Sequence, residues 1–318
     1  MSRTQRGSAF ALAILALTAP QRRAAPAADH HQHLFSPVIV KNAPDITPVD
    51  AADLVRLLDA ARIQRAVVLS LAYQYGNPNR PAVRNEYERV RAENDWTAEQ
   101  VARFPDRLRA FCSVNPLKEY ALDEIGRCAT NPRLRTGLKM HFGNSDVDLA
   151  NDQHLARLKE VFAAANDRGM AILVHLRTSV SRKRPYGAAY ARAFLDHLMP
   201  AAAAVPVQIA HLAGAGGYDD PLVDEALGVF VSSIAASDAR VKRLYFDVSG
   251  VAGLGDWKPK APRIARRIRE IGIRRILYGS DGATGGHTPR AAWTAFRQLP
   301  LSNAEFHAIR HNVPDYMR

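Results

Sequence analysis

The chain has 318 residues, 47% of them hydrophobic and 23% charged, which suits one large folded domain or two ordinary ones and excludes wholesale disorder. Its 43 Lys and Arg against 31 Asp and Glu give a formal charge of +12. Four of those arginines (Arg3, Arg6, Arg22 and Arg23) stand in the first 27 residues, and the others sit mostly on helical faces. With no zinc-finger spacing, RNA-binding motif or basic arm, no nucleic-acid partner is expected.

Residues 1–27 read as a signal peptide: a basic start "MSRTQR", the apolar run "SAFALAILALTA", and the small-residue site "APA" at 25–27. The run is short for a bilayer span, so no stable membrane anchor is expected, and the mature domain, 28–318, is read as exported, periplasmic or secreted. After the leader, strand-like runs alternate with amphipathic helical stretches. The strand-like runs are "DHHQHLF" (29–35), "RAVVLSLA" (65–72), "LRAFCSVN" (108–115), "TGLKMHF" (136–142), "AILVHLR" (171–177), "PVQIAHL" (206–212), "RLYFDVS" (243–249) and "RILYGSD" (275–281). Between them the apolar residues recur at three- and four-residue steps, as in "GAAYARAFLDHLMPAAAA" at 187–204. Eight strand–helix units over one domain predict an α/β fold, a (β/α)8 TIM barrel, with an open doubly wound sheet as the other arrangement the alternation permits. No Gly-rich phosphate loop follows the first strand. Cys112 and Cys128 read as two buried free thiols.

Active sites of such barrels form at the C-terminal ends of the strands, and the unusual residues recur there. Asp29, His31 and His33 are spaced by two and are expected on one strand face, with His30 on the other. Lys139 and His141 end the fourth run, His175 the fifth, His211 the sixth and Asp281 the eighth. Four histidines and an aspartate converging at one mouth point to a metal centre, Zn²⁺ before Mn²⁺ or Fe²⁺. His141, Arg177 and His287 face the same mouth as candidate substrate-binding groups. Asp247 and Ser249 end the seventh run without an assigned role.

The segments "DHHQHLF", "GLKMH", "ILVHLR", "IAHLAGAG" and "ILYGSDGA" together resemble the amidohydrolase superfamily, in its amidohydrolase-2 branch, over residues 29–318; "IRHNVPDYM" resembles that family's closing helix. The resemblance implies His31, His33, His175 and Asp281 as ligands of one catalytic metal, with Asp281 also moving the water's proton and His211 steadying the oxyanion. It also implies either a carbamylated Lys139 bridging two metals or, as expected for this branch, one metal with Lys139 near the substrate. The activity implied is hydrolysis of a small amide, ester or lactone. The alternatives are non-oxidative decarboxylation of an aromatic or muconate-type acid and a silent metal-binding periplasmic protein. A small-molecule substrate and a homo-oligomer complete the expectations on partners.

Overall fold

A computed structural model describes residues 24–41, 46–218, 220–283 and 287–317. The expected leader, 1–27, lies outside the described residues up to position 23. Of the rest, Ala25 packs against the core and the Ala27 amide donates to the Arg310 carbonyl at 2.8 Å.

Eight parallel strands follow one another in chain order: β1 (Ala28–Gln32), β2 (Arg65–Leu69), β3 (Leu108–Ser113), β4 (Gly137–His141), β5 (Ala171–His175), β6 (Val207–Ile209), β7 (Leu244–Asp247) and β8 (Ile276–Leu277). The seam between β8 and β1 is joined by His30 N to Tyr278 O and Asp281 N to His31 O, both 2.8 Å. Those two bonds decide for the barrel over an open sheet. The helices among the described residues are α1 (Pro37–Val40), α2 (Ala51–Ala61), α3 (Glu86–Ala102), α4 (Ala121–Thr130), α5 (Asp152–Asp167), α6 (Ala188–Ala193), α7 (Pro221–Ala235), α8 (Ala261–Ile271), α9 (Pro289–Phe296) and α10 (Asn303–His311). None is long and apolar enough to cross a membrane.

Local chemistry sets the helix ends. Asp50 and Asp53 form a capping box on α2, Ser302 and Glu305 another on α10. Asp220 caps α7 and Thr288 caps α9, each followed by a proline at the first helical position. The stretch read as one helix at 187–204 is broken: α6 passes into a wide π turn at Phe194–Leu198, then a 3-10 turn at Pro200–Ala202. Pro200 has no amide to continue the α-helical ladder, and its ring clashes with the preceding turn.

Two apolar layers hold the barrel. The larger lies between strands and helices, where Val68, Ala110, Leu138, Ile172 and Ile209 meet Leu54, Phe162 and Phe230. The smaller includes Val67, Leu69, Phe111, Ala171 and Leu173, the alternate residues of the same strands, together with Met317. Cys112 at the end of β3 and Cys128 in the last turn of α4 form a disulfide, correcting the expectation of free thiols. Their Cα atoms are 6.2 Å apart, inside the range a bridge needs, a packing that sequence spacing does not reveal.

Glu93 on α3 ties this helix to the segment after β1, accepting from Ser36 Oγ at 2.7 Å. Burial pushes its carboxyl up from 4.5 to about 7, with the Ser36 bond opposing. A raised carboxyl favours folding most fully below its unfolded value of 4.5, and this contribution is lost as pH rises through about 7. Glu93→Gln is therefore expected to match the wild type in melting temperature near pH 4 and to exceed it at pH 8. The gain at pH 8 is on the order of 3 kcal/mol at most, from 1.36 kcal/mol per pKa unit. An equal difference at both pH values would contradict this origin.

Candidate metal centre at the C-terminal mouth of the barrel

The site begins with an irregularity in β1. Its ladder with β2 runs Ala28 to Arg65 and Asp29 to Ala66, then Gln32 to Val68, so β1 carries one extra residue between Asp29 and Gln32. Such a bulge breaks the two-residue alternation and re-aims the side chains that follow. The expectation that Asp29 shares a face with the histidines therefore fails. Asp29 instead accepts from Gln32 Nε2 (2.7 Å), Ser280 Oγ (2.6 Å) and the Ser280 amide (3.0 Å). Burial lifts its carboxyl to about 6, against the pull of those hydrogen bonds. His30 is fully buried toward the opposite end of the barrel, with Nε2 3.2 Å from Asn312 O and its ring 6.0 Å from Tyr316.

His31 and His33 come together at the mouth with Asp281. One donor atom from each lies within 4.8 Å of the others, and His33 Nε2 is 3.8 Å from Asp281 Oδ1. Acceptors fix the tautomers. His33 Nδ1 faces the Leu69 carbonyl at 2.7 Å, and His31 Nδ1 faces Asp247 Oδ2 at 3.0 Å. Neither acceptor has a proton to give, so both Nδ1 atoms carry hydrogen, and in the neutral rings both Nε2 atoms present lone pairs. His31 Nε2 is buried without a hydrogen-bond partner. A buried imidazole nitrogen with no protein partner, beside a second one and a carboxylate, fits a divalent cation of the zinc kind, which takes nitrogen and oxygen donors.

Around this trio stand the other predicted residues. His175 closes β5 with its ring stacked on His141, centroids 3.7 Å apart, and 4.9 Å from the His211 ring. His211 is not on a strand. β6 stops at Ile209, and His211, Leu212 and Ala213 all adopt left-handed backbone, with φ of 56°, 47° and 63°. Three such residues in a row are strained and persist only where their surroundings hold them. Here the His211 amide donates to Asp247 Oδ1 at 3.0 Å, and His211 Nδ1 faces the Ser249 carbonyl at 2.8 Å. His211 therefore also leaves Nε2 unprotonated when neutral. Burial, with the nearby His31, pushes its imidazolium down to about 4, against Asp247 and Asp281. As an oxyanion partner it would first need a proton on Nε2. Burial likewise takes His33 to about 3, and His141 and His175 well below their ordinary value, leaving neutral rings such as ligation requires.

Lys139 is buried inside the barrel, and desolvation lowers it to about 8 against the opposing pull of Asp247 and Asp281. Arg177 is committed elsewhere: its Nε donates to Asp220 at 2.5 Å and its guanidinium lies over Tyr186 at 4.6 Å. Arg182 and Arg184 both engage Asp146, tying the loop after β5 to the loop after β4. His287 Nε2 lies 2.8 Å from the Ser280 carbonyl, on the rim; residues 284–286 before it lie outside the described residues.

Asp247 is the organiser that sequence reasoning left without a role. Fully buried, it accepts from His31 Nδ1, Gln208 Nε2 (2.7 Å), the amides of His211 and Ser249, and Ser249 Oγ (2.5 Å). Burial alone would raise its carboxyl, but the charge and hydrogen bond of His31, with His211 and Ser249, hold it well below the ordinary range. Gly279, after β8, leaves room for this packing, since a Cβ there would sit 2.8 Å from His31 Cβ. The clue available in the sequence was an aspartate closing a strand that otherwise reads as apolar, "LYFD".

With this geometry in hand, the chain can be set beside known proteins. No curated protein matches it. Among solved structures, a dihydroxybenzoic acid decarboxylase from Polaromonas sp., with bound manganese and the inhibitor 2-nitroresorcinol, superposes with a TM-score of 0.63 at 17% identity, covering 92% of this chain and 97% of that one. A probable 2-pyrone-4,6-dicarboxylic acid hydrolase from Acinetobacter baumannii, with citric acid bound, gives 0.58 at 17% identity, covering 89% and 96%. The 5-carboxyvanillate decarboxylase of Sphingomonas paucimobilis gives 0.59 at 15% identity, covering 90% and 97%. At these identities the likeness shows a shared fold. The amidohydrolase family model (Amidohydro_2) matches residues 28–313, nearly the whole described chain, and the protein belongs to that family.

Proposed function

We propose that this protein is a metal-dependent hydrolase that turns water on a small carbonyl substrate, an amide, ester or lactone. The observation that carries the reading is the buried, unpartnered Nε2 of His31, grouped with His33 and Asp281 at the barrel mouth. His31, His33 and Asp281 would hold the ion, with His175 as fourth ligand, one ion per chain, Zn²⁺ before Mn²⁺ or Fe²⁺. A divalent ion held there supplies Lewis acidity and lowers the pKa of water beside it. Partial desolvation at the mouth would raise the Asp281 carboxyl, whose side chain is still 37% exposed, yet His31, His33, His211 and Lys139 hold it below the ordinary value, so it is charged at neutral pH and able to accept a proton. His211 offers a second acceptor at Nε2. Lys139, largely protonated below pH 8, would orient an oxygen of the substrate from inside the barrel. Export through the leader at 1–27 belongs to the same proposal, and a shorter chain in the periplasm than in the cytoplasm would test it.

A second reading, non-oxidative decarboxylation, is favoured by the buried Lys139 ammonium, a fitting partner for a carboxylate, and by the decarboxylases among the structural neighbours. The metal-loaded protein should be assayed against lactones, esters, amides and hydroxybenzoates, with product acid and CO₂ both recorded. Acid release without CO₂ is the expected result; CO₂ as the product would replace hydrolysis with the second reading.

A further inference from the structure

The segment that follows α10 closes the N-terminal end of the barrel, far from the mouth. Met317 is fully buried with Val67, Leu69 and Phe111 of the inner layer. The Tyr316 ring stands edge-on to Phe111 at 5.3 Å and to His30 at 6.0 Å. Its hydroxyl donates to Gln208 Oε1 at 2.6 Å.

At its other end the Gln208 amide meets the Asp247 carboxylate, which can only accept, so the amide nitrogen must face Asp247 and Oε1 faces the Tyr316 hydroxyl. Nε2 then donates to Asp247 Oδ2 at 2.7 Å and reaches the His30 carbonyl at 3.3 Å. The same Asp247 Oδ2 accepts from His31 Nδ1 at 3.0 Å. If the amide flipped, its oxygen would face the Asp247 carboxylate oxygen at hydrogen-bond distance; the Tyr316 hydroxyl, which can accept as well as donate and also lies 3.3 Å from His30 Nδ1, follows the sense that Asp247 sets. The buried chain Tyr316–Gln208–Asp247–His31 is thus self-consistent in one direction only, and it ends on the imidazole whose Nε2 is bare.

We infer that Tyr316 and Gln208 are positioning residues that act through Asp247 to hold His31 in its Nδ1–H tautomer, with Nε2 ready for a metal ion. This deepens the proposed function and rests on His31 being a ligand. Removing the group bonded directly to a ligating histidine, here Asp247, typically changes metal affinity by about 10- to 100-fold, and Gln208 and Tyr316 act one and two bonds further out, with smaller effects.

The test uses the full chain stripped of metal, as wild type, Tyr316→Phe, Gln208→Met and the double variant. Ring-¹⁵N spectra of histidine-labelled protein, with His31 assigned by its loss in His31→Asn, report the tautomer directly. Zn²⁺ and Mn²⁺ affinities are measured by competition with a chromophoric chelator, and melting temperatures of the metal-free forms are recorded beside them. We expect His31 to be the Nδ1–H form in the wild type and mixed in Gln208→Met. Zn²⁺ binding should weaken up to about tenfold in Gln208→Met and about threefold in Tyr316→Phe. The double variant should be no worse than Gln208→Met, since both act along one chain. An unchanged His31 tautomer in all three variants overturns the inference. Affinity losses that simply add, or that track the melting temperatures, also overturn it. A wild type that binds neither ion refutes the metal centre instead, and the tautomer spectra then decide the relay by themselves.

Discussion

Asp281→Asn will fold like the wild type and lose at least about a thousandfold in kcat/KM, measured with saturating Zn²⁺ or Mn²⁺ on whichever substrate is turned over. The left-handed backbone at Asp281, φ 51°, is one that asparagine tolerates nearly as well as aspartate. The amide bond from Asp281 N to His31 O at 2.8 Å is untouched by the change. What disappears is one basic oxygen 3.8 Å from His33 Nε2. General-base catalysis is worth roughly 10²–10⁴ in rate, and the lost charge also weakens the ion's binding. Activity within about tenfold of wild type would remove Asp281 from the proton-moving role.

The second large effect is on the fold itself. Asp247→Ala strands His31 Nδ1, Gln208 Nε2, Ser249 Oγ and two backbone amides in a place that water does not reach. Removing one partner from a buried, charged network of this kind destabilises by about 3–5 kcal/mol, because the remaining groups stay desolvated. For a chain of this size each kcal/mol moves the melting temperature by about 2–4 °C, so a fall of roughly 6 °C or more is expected. Glu160→Ala is the matching control, since its ion pair with Arg157 lies on the exposed face of α5, and its melting temperature should stay near wild type. A loss at Asp247 no larger than at Glu160 would mean the buried network is not cohesive.

These two residues also mark what could be read from sequence and what could not. The placement of Asp281, His175 and His211 at the mouth could be read because the barrel rhythm says where each strand should end, and a polar residue at the end of an apolar run stands out. Asp247 shared that position but lacked meaning, because its partners His31 and Gln208 come from β1 and β6 and only the closed barrel brings them to it. The β1 pattern misled in a different way. A spacing of two implies one face only if the ladder is regular, and the bulge between Asp29 and Gln32 separates Asp29 from the histidines while leaving His31 and His33 at the mouth. The sixth run looked like a strand through position 212, yet the chain turns left-handed at His211, a choice imposed by Asp247 and Ser249 rather than by local propensity. The bridge between Cys112 and Cys128 was hidden for the same reason, since it depends on how α4 settles against β3.

If His31, His33, His175 and Asp281 hold one catalytic divalent ion, as proposed, metal content per chain in freshly purified protein reports it directly. Elemental analysis should give close to one equivalent of Zn, Mn or Fe, falling toward zero in His31→Asn while the protein remains folded. Two equivalents, dropping to one or none in Lys139→Ala, would require a bridged pair instead. No metal as isolated, and no binding or activation when Zn²⁺ or Mn²⁺ is added, would contradict the account.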